Sequence, residues 1–146
     1  MKIVLNIHKL LKNFEALSFL PLILIRVYLF FVFWYAGIGK IDNFDKFSGY
    51  LGTLGVPLPD ILSWMVIFTE AGGAALLLVG LFVRWVSIPL LIVMLCAGYL
   101  VHYQNGWAHE ANGIEFATIY SLMILTLLCF GGGKYLSLDY WVSTKK

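Results

Sequence analysis

Charge is scarce in this chain, and that scarcity bounds what the protein can be. Of its 146 residues, 12% are Asp, Glu, Lys or Arg and 61% are hydrophobic, with a mean hydropathy of +0.88. A soluble domain carries about 25% charged and about 45–50% apolar residues, so that class is excluded. The net charge of +2 comes without a basic block, which excludes a surface built to track nucleic-acid phosphates. Cysteine is confined to Cys96 and Cys129, both in apolar stretches and without CxxC or metal spacing. Helix rise separates them in depth by about 15 Å, beyond disulfide reach. No outer-loop pair exists for thiol exchange, so both read as small buried apolar residues. The first long apolar run has no small-residue cleavage site after it and carries Arg26 within it, so it reads as a retained span, not a signal peptide.

What the chain has is apolar length. Hydropathy predicts four spans at about 18–38, 61–83, 85–103 and 114–131, each near the roughly 20 residues a spanning helix needs. The expected fold is an all-α integral membrane protein, one domain over 1–146, formed as a four-transmembrane-helix bundle. Before the first span, Ile3, Leu5, Leu10, Leu11 and Phe14 alternate with Lys2, Lys9, Lys12 and Glu15. That spacing predicts a short N-terminal interfacial helix. Gly49, Gly52, Gly55, Pro57 and Pro59 make the 39–60 connection an ordered loop, with one helical turn around 43–51. Four spans put Lys2, Lys9, Lys12, Arg84, Lys134, Lys145 and Lys146 on one side. The other side receives Lys40 and Lys46 together with Asp42, Asp45, Asp60 and Glu110. The positive-inside rule then places both termini in the cytoplasm. Trp34, Trp64, Trp85, Trp107 and Trp141 mostly fall near span ends, as interfacial anchors do.

Two charges break the apolar runs. Glu70 lies in ILSWMVIFTEAGGAALLLVGLF, and an ionised carboxylate at mid-bilayer costs about 2.5–3.5 kcal/mol on insertion scales. Arg26 lies roughly 12 Å into the first span and Glu70 roughly 14 Å into the second, counted at 1.5 Å per residue. Consecutive antiparallel spans would bring them level, so an Arg26–Glu70 ion pair is expected, either as a structural staple or as a proton- or ligand-handling pair. Ala71, Gly72, Gly73, Ala74 and Ala75 surround one turn with small side chains, suited to close helix packing or to a flat ligand.

A second polar group is expected at the outer surface: Lys40 and Asp42, His102, Gln104 and Asn105, His109 and Glu110, then Asn112 and Glu115. Glu115 would sit at a helix N-terminus, where the macrodipole favours a negative charge. The group reads either as a solvated rim or as a polar pocket in which His102 and Glu115 exchange a proton. His102, His109, Glu110 and Glu115 are ligand types for copper, zinc or iron, but no i, i+4 His pair or HExxH supports a metal.

These residues, in this order, resemble the DoxX family of small membrane proteins over nearly the whole chain. The likeness runs through Arg26, AGIGK (Gly37, Gly39, Lys40), LGVPLP, TEAGGAALLLVGLFVRW (Glu70, Gly80, Arg84) and VHYQNGW (His102, Asn105, Gly106, Trp107). NGIEFA and GGGKYLSLDYW (Asn112, Gly113, Glu115, Gly131 to Gly133, Ser137, Asp139) are similar to the HvfX subgroup, which accompanies copper-linked ribosomal peptide maturation. Members of that subgroup carry a longer outer segment where this chain has only AHEA (108–111), which puts any partner contact made there in doubt. The resemblance implies a four-helix membrane bundle. It links relatives to quinone-linked thiosulfate oxidation, thiol oxidoreductase complexes and peptide maturation.

The function expected is that of an accessory or redox-linked subunit in a bacterial inner membrane, working with quinone or a partner oxidoreductase, or in copper-linked peptide maturation. The alternative is a non-enzymatic scaffold or small-solute permease locked by Arg26–Glu70. Candidate catalytic residues are Glu70, Arg26, His102 and Glu115, and candidate cofactor-binding residues are Gly72, Gly73, Lys40 and Asn105. His102 and His109 are the weak metal candidates. The expected partners are the lipid bilayer, a redox or maturation protein and a second copy of the chain. Whether the chain catalyses anything by itself stays open on sequence.

Overall fold

In the computed structural model, residue 17 and residues 19–144 are described, and the segment expected to form an interfacial helix lies outside them. All regular structure among the described residues is helical. The helices are α1 (Leu20–Asp42), α2 (Phe44–Thr53), α3 (Pro59–Ile67), α4 (Gly73–Val79), α5 (Val83–Ala97), α6 (Glu115–Phe130) and α7 (Leu138–Thr144). A π-helical turn, Phe68–Gly72, joins α3 to α4 as one continuous rod. A second π turn, Gly98–His102, and a short 3₁₀ turn extend α5 to Asn105.

Three rods are long and apolar enough to cross a membrane: Leu20–Asp42, Pro59–Val79 and Val83–Asn105. Pro59 starts the second at a position where its missing N–H costs nothing, after Leu58 in the left-handed region (φ +50°). Gly80 ends it at φ +68°, a conformation glycine adopts without steric cost. The fourth apolar segment forms α6, whose 16 residues rise only about 24 Å against a hydrocarbon core of about 30 Å. The helical turn expected in the 39–60 connection is the ten-residue helix α2.

The buried faces repeat at helical spacing: Arg26, Leu29, Phe33 and Gly37 on α1, and Ser63, Ile67, Glu70, Ala74 and Leu77 along the second rod. Val83 and Leu90 of α5 cluster with Ile124 and Leu127 of α6, and Ser87 is buried between the first two on α5. Outward lie large apolar groups such as Tyr35, Phe68, Trp85, Tyr99 and Phe130. Apolar side chains outside and charges inside invert the order of a soluble protein and match a lipid environment. The two cysteines are free and outward-facing, not buried as the sequence reading expects.

Candidate functional site

Glu70 is 2% exposed and sits in the Phe68–Gly72 π turn. Such turns widen a helix locally and occur frequently at functional sites. Its partner is Lys40, whose Nζ donates to Oε2 at 2.6 Å. The expected Arg26–Glu70 ion pair does not form. Two observations explain the register. Helix α1 continues to Asp42, which carries Lys40 along the same stripe as Phe33 and Gly37. A Cβ on Gly37 would stand 2.9 Å from the Ala71 nitrogen, so that glycine lets α1 approach the π turn closely and seats Lys40 beside Glu70. Arg26 and Lys40 are fourteen residues apart, about 21 Å along the helix.

Arg26 faces a different environment. Its Nε donates to the Leu77 carbonyl at 2.8 Å and Nη1 to Gly132 at 2.9 Å, while Nη2 donates to Leu78 at 2.9 Å and Leu136 at 2.8 Å. Leu77 and Leu78 end the second rod, where carbonyls lack helical partners and the macrodipole favours a cation. Arg26 therefore caps that helix and ties it to the loop after α6. Its N–H groups are committed to backbone carbonyls, which gives it a structural role in the bundle. Gly80 makes room for it: a Cβ there would collide with the guanidinium and come within 2.8 Å of Ser137 Cα.

The lysine–glutamate pair is unevenly exposed, 23% for the Lys40 side chain and 3% for that of Glu70. Lys40 lies 5.4 Å from the Phe47 ring centroid and lines a shallow cleft of about 330 Å³ with Gly39, Asn43, Lys46, Phe47 and Tyr50. Two turns before Glu70 on the same face, the buried Ser63 Oγ has no hydrogen-bond partner among the described residues. One turn earlier, Asp60 accepts from Ser48. Sequence reasoning did not single out Ser48 or Ser63. The signal available was spacing alone, since Ser63 continues the face of Ile67 and Glu70.

The small-residue turn is packed on one side and open on the other. A Cβ on Gly73 would meet Leu90 side-chain atoms at 3.2 Å, so Leu90 of α5 already fills that side, and Gly72 faces outward. The outer group divides into two contacts. His102 Nδ1 lies 2.9 Å from the Asn112 carbonyl, to which Asn105 also donates at 3.1 Å. Glu115 accepts from the His109 amide at 3.1 Å and meets its Nδ1 at 3.0 Å. Hydrogen bonds from the His109 side chain, then from its amide, hold the Glu115 carboxyl below the usual carboxylate range. Glu115 thus pairs with His109, not with His102. Among the described residues, no three His, Cys, Asp or Glu side chains gather to hold a metal.

A bundle with apolar rods outside, a capped arginine within and a half-open lysine–glutamate pair defines a small helical membrane protein. The chain belongs to the DoxX family, whose profile matches residues 21–103, more than half of its length. It is similar to an uncharacterised protein of Haemophilus influenzae, 29% identical over 84% of this chain and 83% of that one. It is also similar to the inner membrane protein YphA of Escherichia coli K12, 26% identical over 87% of this chain and 94% of the relative. No solved structure matches the chain.

Proposed function

We propose that this protein is an accessory subunit of a redox system in a bacterial inner membrane, and that it handles a proton at Lys40–Glu70. The observation that carries this reading is the 2.6 Å contact between a carboxylate 3% exposed and an ammonium 23% exposed. A donor and an acceptor held at that distance, one sealed in the bundle and one reaching a cleft, is an arrangement through which a proton passes. Asp60, which accepts from Ser48 of α2, and Ser63 supply polar atoms along the α3 face that leads to Glu70.

The cleft beside Lys40 lies at the small end of ligand-pocket volumes, about 300–1,000 Å³. Its residues fit a quinone head: Phe47 and Tyr50 would face the ring, and the Lys40 ammonium would donate to a carbonyl oxygen. Bound quinone would supply two-electron redox chemistry, and the electrons would come from a partner oxidoreductase. The likeness of the C-terminal motifs to HvfX proteins makes peptide maturation one setting for such a partner.

The lysine and arginine asymmetry supports termini on the cytoplasmic side, and the YphA likeness supports the inner membrane. We take α6 as a fourth, short crossing, packed along α5.

The test is extraction of quinone from the purified protein and from Lys40→Met and Ser63→Ala variants. Near-stoichiometric quinone in the parent, lost in Lys40→Met, is expected. Ser63→Ala should keep both its fold and its quinone while slowing proton-coupled turnover with the partner. A lipid-only extract from well-folded parent protein would favour the scaffold reading.

A further inference from the structure

A larger cleft, about 900 Å³, opens at the other end of the bundle, where α1 and α5 begin and α6 ends. It shares Gly132 with the Arg26 hub and no residue with the cleft beside Lys40. Arg84 and Lys134 give it two exposed cations. Arg84 donates one hydrogen bond, to the Cys129 carbonyl at 3.1 Å, and Lys134 makes no ion pair among the described residues. The one carboxylate lining the cleft, Asp139, is engaged by the Phe82 and Val83 amides at 2.7 and 2.9 Å. The loop between Arg84 and Lys134 turns through Gly131 (φ +76°) and Gly133 (φ +85°).

The flank of this cleft is apolar and open: Trp85 is 74% exposed and Phe130 70%. A cationic head end continuous with an aromatic wall on a helix-bundle surface matches one amphiphile in particular. We propose that the cleft binds an anionic phospholipid, its phosphate against Arg84 and Lys134, its acyl chains along Trp85 and Phe130. Basic pockets between membrane helices recognise such headgroups, and tryptophan settles at headgroup level.

The experiment is native mass spectrometry of the full chain, delipidated in detergent and titrated with phosphatidylglycerol or phosphatidylcholine. The parent should retain phosphatidylglycerol preferentially, and the double variant Arg84→Gln/Lys134→Gln should bind it at least about tenfold more weakly. Because Arg84 also contacts Cys129, Lys134→Gln alone is the second probe, with an expected weakening of about fivefold. Equal retention of the two lipids, or unchanged phosphatidylglycerol binding in Lys134→Gln, would overturn the proposal. Thermal stabilisation by inorganic phosphate equal to that by phosphatidylglycerol would also overturn it, assigning the site to a free anion.

Discussion

Arg26 and Glu70 are each 2% exposed, and the chain meets the cost of burying them in two ways. Glu70 takes a counter-charge; Arg26 takes four backbone carbonyls that a helix end and a loop leave available. In a medium without water both solutions need a full set of hydrogen bonds, since an unsatisfied polar group costs several kcal/mol. The glycines beside them follow from the same need. Gly80→Ala would place a methyl group against the guanidinium at a residue whose φ is +68°. Strain and collision together should cost about 3 kcal/mol or more. The measurement is the thermal midpoint in detergent, with Gly72→Ala as a control, because nothing lies within 4 Å of a Cβ there. A Gly80→Ala midpoint equal to the control would show that Arg26 is not held as described.

At the scale of elements, helix ends are organised by residues far away in sequence. Asp139, at the start of α7, accepts from the Phe82 and Val83 amides and so caps α5 from 56 positions away. Asp139→Ala should lower stability by about 0.5–2 kcal/mol, the usual range for a lost cap, and should raise amide exchange selectively at residues 82 and 83. The Glu115 contact stabilises the turn His109–Ala111 in a pH-dependent way. Its carboxyl titrates below the usual range when folded, so the contribution is complete above the ordinary glutamate value. It is lost as pH falls through the lowered one. The His109 amide resonance should therefore shift with an inflection below the ordinary range, and Glu115→Gln should abolish that inflection.

The elements themselves were legible from the residues. Long apolar runs alone, about 18–38, 61–83 and 85–103, gave the three rods to within a few residues of Leu20–Asp42, Pro59–Val79 and Val83–Asn105. The pairing was not legible. Depth counted from estimated span ends carries an error of about a turn at each end. Lys40 lies about four turns beyond Arg26, more than that error; it escaped because the expected first span ended at about 38, whereas α1 runs to Asp42. The helical stripe Arg26, Leu29, Phe33, Gly37, Lys40 was already present in the sequence. Using it needed knowledge of how far α1 extends. The Asp139 cap and the carbonyl shell around Arg26 depend on a loop folding back across two helices, which local spacing does not report.

Over the whole molecule, the buried charges mark two separate ends of the bundle. Arg26, Gly80, Ser137 and Asp139 knit the helix starts and the C-terminal loop into one rigid end. The Lys40–Glu70 pair, its π turn and the cleft by Phe47 and Tyr50 form the other. The separation predicts that the two buried charges are energetically independent, since perturbations without shared partners add. A double-mutant cycle on unfolding of the purified protein decides this most directly. Lys40→Met alone should cost about 3 kcal/mol by stranding the Glu70 carboxylate, and Lys40→Met/Glu70→Gln should recover most of that loss. In the parallel cycle, Arg26→Met and Glu70→Gln should be additive. Coupling between Arg26 and Glu70, with none between Lys40 and Glu70, would contradict the pairing.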